Sequence, residues 1–197
     1  MVIKRLFDLI AASLGLLLFL PIFVLIAILV SLTSRGGAFY SQTRVGKDKK
    51  EFLLLKFRTM KLNSDKSGQL TVGMNDARIT KLGGFLRLSK LDEIPQLLNV
   101  IKGDMSLVGP RPEVPKYVAL YSPEQLEVLS VRPGITDLAS IEFIKENELL
   151  GKAKNPEKEY VEVIMPKKLA LNIQYIDTQS FFGDIKLIFR TFGKILK

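Results

Sequence analysis

From Leu9 to Ser34 the chain reads LIAASLGLLLFLPIFVLIAILVSLTS, without one charged side chain. A bilayer-spanning helix needs about 20 apolar residues, and a signal-peptide core has only about 7–15, so this run reads as an uncleaved membrane element. Two features complicate a simple span. Lys4 and Arg5 precede the run while Arg35, Arg44, Lys47, Lys49 and Lys50 follow it, leaving little charge asymmetry to orient a crossing. Pro21 lies near its centre, where a missing amide kinks or breaks a helix. Each half, 9–20 and 22–34, would rise roughly 18–20 Å, enough to enter one leaflet and return. On the residues alone, a Pro-kinked span and a re-entrant hairpin both remain open.

Beyond Arg35 the periodicity changes. AFYSQ (38–42) and EFLLLKFRTM (51–60) flank a turn containing Gly46 and Asp48, which predicts a β-hairpin. Residues 61–76 lack periodicity and read as a loop. Over 77–88, Ile79, Leu82, Phe85 and Leu86 share a helical face that would suit either a core or an anionic lipid surface. In SKLDEIPQLLNVIKGD, Asp92 is placed to cap a helix, Pro95 suits its first turn, Leu97, Leu98 and Ile101 form a stripe, and Lys102-Gly103 closes it. Pro110, Pro112 and Pro115 hold Arg111 in a stiff extended loop. SPEQLEVLSV (122–131) starts as a capped short helix, a further helical pattern breaks at Pro166, and SFFGDIKLIFRTFGKIL forms a basic amphipathic C-terminal helix.

The pattern predicts a mainly helical α+β chain: a membrane-embedded segment at 1–34 and one small cytosolic domain at 35–197. Charge narrows its chemistry. With 29 basic and 20 acidic residues among 197, the excess suits nucleic acid, anionic lipid or a phosphorylated substrate. Cysteine and histidine are absent, which excludes disulfides, thiolate nucleophiles, Cys/His zinc sites and histidine bases. Carboxylates with a hard cation such as Mg²⁺ are the natural remaining pairing.

Within that frame, the adjacent Asp92 and Glu93 stand out. Acidic residues are common at helix starts, and each arginine taken singly is an ordinary surface charge. Together, Lys56, Arg58, Arg87, Arg111 and Arg132 accompany the two acids in a pattern that suits phosphoryl transfer. Guanidinium forks match phosphate oxygens, and paired carboxylates can hold Mg²⁺ while one attacks phosphorus.

The ordered set KFRTM (56–60), ARITKLGGFLR (77–87), LDEIPQLLNVIKGDMSLVGPRPE (91–113) and RPGIT (132–136) resembles the bacterial sugar transferases, the monotopic phosphoglycosyl transferases of glycoconjugate assembly. The resemblance covers nearly the whole chain. It implies transfer of a phosphosugar from a UDP-sugar to a polyprenol phosphate, usually undecaprenyl phosphate, with release of UMP and a requirement for Mg²⁺. It makes Asp92 the nucleophile and Glu93 its partner in metal or proton handling, and matches Lys56, Arg87 and Arg111 to family positions. It favours the re-entrant helix broken at Pro21, with the catalytic domain on the cytoplasmic face of the bacterial inner membrane, and is compatible with a homodimer. Two departures stand out: RPGIT continues as DLASIEFIKENELL where many members have Gly-Leu-Ala-Gln and a nearby Arg, and Leu20 rather than Ser precedes Pro21. The rival class is a membrane-anchored basic lipid-binding or scaffold protein. Nucleic-acid binding would explain the charge but not residues 9–34.

Overall fold

The computed structural model describes residues 2–64, 70 and 76–195. Helix α1 (Val2–Thr33) is followed by the hairpin β1 (Phe39–Val45) and β2 (Glu51–Phe57), then α2 (Lys81–Leu88) and α3 (Gln96–Lys102). Strand β3 (Ser106–Val108) precedes α4 (Pro115–Val118), and β4 (Gly134–Thr136) precedes α5 (Leu138–Glu142), α6 (Glu146–Lys152) and α7 (Pro156–Glu159). A π-helical turn (Tyr160–Ile164) leads into α8 (Met165–Thr178), and α9 (Phe181–Ile195) ends the described chain. The chain is mainly helical, with an antiparallel β1–β2 pair and a short parallel β3–β4 pair.

Helix α1 keeps helical residues on both sides of Pro21 and through it, where the missing amide permits a bend without loss of helicity. Proline removes one amide donor, and packing on both sides of it maintains the helix. Ala12 is buried with Leu54, Val100 and Met105; Ile26 and Val30 are buried with Phe57 and Leu86. Each of these side chains other than Ala12, fully buried, is worth about 1.5–3 kcal/mol. Between these contacts, Leu14, Leu17, Leu18 and Leu25 lie outside any protein core. Asp8, an anion inside this apolar helix, is satisfied by the Ser106 hydroxyl at 2.8 Å and the Leu107 amide at 3.2 Å.

The hairpin forms as expected, with β1 extending to Val45. Among the described residues, the edge of β2 facing away from β1 meets no further strand; instead the Asn99 amide group on α3 accepts from Leu55 N at 3.0 Å and donates to Leu53 O at 2.8 Å. This polar side chain imitates a strand partner, and it corrects the expected stripe: Gln96, Asn99 and Val100 are buried while Leu98 is exposed. Helix α2 starts later than the periodicity suggests. Thr80 caps it by accepting from Gly83 N at 2.9 Å, and Ile79 instead pairs with Met60. Its face is split, with Leu86 buried and Phe85 exposed.

A third core, containing Val45, Tyr117, Leu129, Leu150, Tyr160, Ile164 and Leu169, builds a helical lobe from α4 to α8. Pro115 starts α4 instead of preventing a helix, and 125–130 is a 3-10 helix. The π turn carries the chain into Pro166 without loss of helicity. Of the expected loop at 61–76, only 61–64, 70 and 76 lie within the described residues.

Candidate active site

The two carboxylates lie where hairpin, α2 and helical lobe meet. Lys90 adopts a left-handed conformation (φ 59°), turning the chain out of α2 into a 3-10 turn at Leu91–Glu93. Asp92 sits inside this turn rather than capping α3, and no cap hydrogen bond from it is present. The local reason is Pro95, which occupies the capping position of α3 itself and separates the acids from the helix amides. The expected stabilisation by a helix N-terminus is therefore replaced by side-chain charge.

Lys56, carried on β2 and held beside the turn by Asn99, places Nζ 2.8 Å from Glu93 Oε1 and 4.0 Å from Asp92 Oδ2. Arg111 reaches the same Glu93 Oε1 from the proline-rich loop, with Nη2 at 2.6 Å and Nη1 3.5 Å from Oε2. Glu93 is thus clamped by two cations. Burial disfavours its charge, but Arg111 and Lys56 overcome this and hold it well below the usual carboxylate range. Burial lowers the affinity of Lys56 for its proton, opposed by Glu93, whereas the Glu93 charge raises that of Arg111.

Asp92 differs. It is 4% exposed and its Oδ1 has no hydrogen-bond partner. Burial pushes its pKa up, Lys56 pulls it down, and Glu93 pushes it up again. A buried carboxylate with an unsatisfied oxygen is expensive and reactive, because no hydrogen bond offsets the burial of that atom. Gln96, one helical turn on, likewise has a buried Nε2 without a partner, a donor available to an incoming acceptor.

Arg87 on α2 donates to the Thr59 hydroxyl at 2.9 Å and lies within the field of Asp92. Thr59, the threonine of KFRTM, packs so close to α2 that a Cβ on Gly83 would fall 2.1 Å from its carbonyl oxygen; only glycine permits this approach. The Arg111 loop is similarly pressed against RPGIT, where a Cβ on Gly134 would meet Gly109 N at 2.1 Å. Asp137, the residue at which the sequence departs from Gly-Leu-Ala-Gln, is fully buried and accepts from Arg111 N at 2.7 Å. Arg44 holds the following residue, donating to Pro112 O at 2.9 Å and to Glu113 at 3.0 Å, and Glu113 also receives the Tyr160 hydroxyl.

Lys56, Arg87, Arg111, Asp92 and Glu93 therefore converge, as the sequence suggested. Arg58 and Arg132 do not join them. Arg58 donates to the Gly37 and Phe39 carbonyls at the open end of the hairpin, and Arg132 donates to Gly103 O. Alternation along a strand and a turn of the chain send neighbouring cations to different places. Thr59, Asp137 and the Arg44–Glu113–Tyr160 set are the contributors missed; Thr59 and Glu113 lay inside the quoted motifs, while Arg44 and Tyr160 carried no local signal.

No group of three or more acidic, histidine or cysteine ligands occurs among the described residues. The orphaned anionic oxygen of Asp92 beside Glu93 does fit a hard cation that draws its remaining ligands from water and substrate phosphate, the usual habit of Mg²⁺.

The family model for bacterial sugar transferases matches residues 1–197. The chain belongs to the bacterial sugar transferases. Among its relatives in this family, a UDP-glucose:undecaprenyl-phosphate glucose-1-phosphate transferase of Caulobacter vibrioides is 38% identical over 98% of this chain and 69% of its own length. A sugar transferase of Bacillus subtilis, EpsL, is 40% identical over 100% of this chain and 88% of its own. A UDP-N-acetylgalactosamine-undecaprenyl-phosphate N-acetylgalactosaminephosphotransferase of Aeromonas hydrophila is 34% identical over 98% and 44%. The first and third of these relatives name different sugars, glucose and N-acetylgalactosamine.

Proposed function

We propose that this chain is a phosphoglycosyl transferase that moves a phosphosugar from a UDP-sugar to undecaprenyl phosphate and releases UMP, the first step in assembling a surface glycan. The observation that carries this reading is the asymmetry of the acid pair: Glu93 is held by Lys56 and Arg111, while Asp92 keeps a buried, unpartnered oxygen. An Asp92 carboxylate oxygen attacks the sugar-bearing phosphorus. The bond from that phosphorus to the bridging oxygen breaks, and its electrons leave with UMP. An oxygen of the lipid phosphate then attacks the same phosphorus, forming the pyrophosphate and returning the carboxylate. Lys56, Arg87 and Arg111 receive the phosphate charge, and Glu93 keeps the first and last of these cations oriented between turnovers. Mg²⁺ would be held by Asp92 and Glu93 together with the diphosphate, and supplies neutralisation of phosphate charge when bound.

We also propose that α1 is re-entrant and that residues 35–197 form a catalytic domain on the cytoplasmic face of the inner membrane. Arg5 near the start of α1 donates to the Val100 and Ile101 carbonyls, whereas Ile26 and Val30 near its end pack on Phe57 and Leu86 of the same domain. A helix crossing a hydrocarbon core about 30 Å thick would put these contacts on opposite sides. A scaffold would need neither the orphaned Asp92 oxygen nor the convergent cations.

Screening a panel of UDP-sugars for UMP release with undecaprenyl phosphate tests the activity. Release from at least one, lost in Asp92→Asn, is expected; no release from any contradicts it.

A further inference from the structure

Among the described residues, buried side-chain atoms without a hydrogen-bond partner occur at Asp92 Oδ1, Gln96 Nε2 and Asn172 Oδ1, and the first two lie within the single stretch LDEIPQ. Buried polar groups in folded proteins are nearly always paired, so an amide at 1% exposure with a free donor calls for an acceptor from outside the fold. The backbone keeps a right-handed helical course from the 3-10 turn at Leu91–Glu93 through Ile94 and Pro95 into α3. Glu93, Gln96 and Asn99 therefore share one face at spacings of three, and Asp92 stands four residues before Gln96, the spacings at which helical side chains are neighbours. Two members of this face are committed to β2. Glu93 takes the ammonium of Lys56, and Asn99 spends its oxygen on Leu55 N and its nitrogen on Leu53 O. Gln96 lies between them, beside the acid that reacts, and its nitrogen is committed to neither strand nor acid.

Asp92 Oδ1 and Gln96 Nε2 are thus an acceptor and a donor at neighbouring positions that do not bond each other. A phosphoryl group satisfies both at once: its phosphorus takes the carboxylate oxygen, and one of its non-bridging oxygens accepts the amide hydrogen. We infer that Gln96 is a catalytic residue of the transfer, its Nε2 donating to a non-bridging oxygen of the sugar-bearing phosphorus during attack and again in the aspartyl adduct. The inference rests on the proposed reaction and adds to it a neutral donor where Lys56, Arg87 and Arg111 supply charge. No proton changes hands. The hydrogen bond forms as the phosphorus reaches Asp92 and is released when the lipid phosphate carries that phosphorus away. A neutral amide suits this place, because a cation there would pair with Asp92 and satisfy the very oxygen that has to attack.

UMP release from an accepted UDP-sugar is compared in the full-length wild type and in Gln96→Met, which keeps much of the side chain's length and removes the donor. Losing one preorganised donor to a developing oxyanion lowers kcat roughly 10²–10³-fold, and a loss of that order is expected, with KM for the UDP-sugar little changed. The melting temperature should not fall, because the variant buries no unpaired amide. The second probe is the UDP-sugar with sulfur in place of one non-bridging oxygen on the sugar-bearing phosphorus, as its two separated diastereomers; sulfur is a poor acceptor. Wild type should be slowed most by the diastereomer whose sulfur faces Gln96, and Gln96→Met should lose that extra slowing. Full kcat in Gln96→Met overturns the inference. So do sulfur effects identical in wild type and variant, whether or not the variant is destabilised, since a residue acting only through the fold slows sulfur and oxygen substrates alike. A wild type that releases UMP from none of the UDP-sugars would instead refute the reaction on which the inference stands.

Discussion

Asp92 is held in a state the fold does not favour. Burial raises its pKa above the ordinary value, so the folded chain binds this proton more tightly than the unfolded chain. Its contribution to stability is present at low pH and is lost as pH rises through the folded pKa. Asp92→Asn is therefore expected to abolish transfer without lowering the melting temperature above neutral pH, where the variant melts at or above the wild type. The gap narrows as pH falls and Asp92 takes up its proton. Thermal melts across pH check this; a variant much less stable at every pH would mean the carboxylate is structural. Glu93 has the opposite sign. Its lowered pKa gives stability that is present above the unfolded carboxylate range and is lost as pH falls through the folded value, so Glu93→Gln should destabilise near neutrality.

The two neighbours also set the pH at which Asp92 becomes an active anion. Lys56 lowers its pKa and Glu93 raises it. In Lys56→Met the acid limb of residual transfer activity should move to higher pH, and in Glu93→Gln to lower pH. Profiles of kcat/KM for the accepted UDP-sugar check both shifts; movement in the same direction would show that another group governs the limb.

At the scale of elements, the acids are presented by contacts between segments more than by any one of them. Asn99 closes the open edge of β2, and through it Lys56 is registered against the 3-10 turn. Asn99→Leu leaves the part-buried Leu55 amide and Leu53 carbonyl without this partner, and should cost up to about 2–6 kcal/mol at about 1–3 kcal/mol for each group. Denaturant unfolding measures the loss. The hairpin and C-terminal helix were legible because their patterns are local, as was the convergence of Lys56, Arg87 and Arg111 on the acids through the motif set. The capping role expected of Asp92 was not observed, because the sequence places an acid before a proline without revealing the left-handed Lys90 that diverts the chain. The burial of Asn99 in place of Leu98 depends on an unpaired strand edge that only the assembled fold reveals. Arg58 and Arg132 belong to motifs that reach the site, but their side chains serve neighbouring carbonyls.

Across the whole molecule, the proposed membrane placement makes α1 a spine whose two ends hold one domain and whose exposed apolar middle is offered to lipid. The adjoining active site can then receive a soluble nucleotide sugar and a lipid phosphate held in the bilayer. Only the charged head of that lipid has to leave the membrane. The two substrates need never be bound together if Asp92 carries the phosphosugar between them. The central claim is tested most directly by withholding the lipid. With an accepted UDP-sugar and no polyprenol phosphate, the wild-type chain should release UMP in a stoichiometric burst, and mass spectrometry should find the phosphosugar on Asp92, with none on Asp92→Asn. UMP release that requires the lipid, from a protein that never gains the phosphosugar mass, would contradict the account.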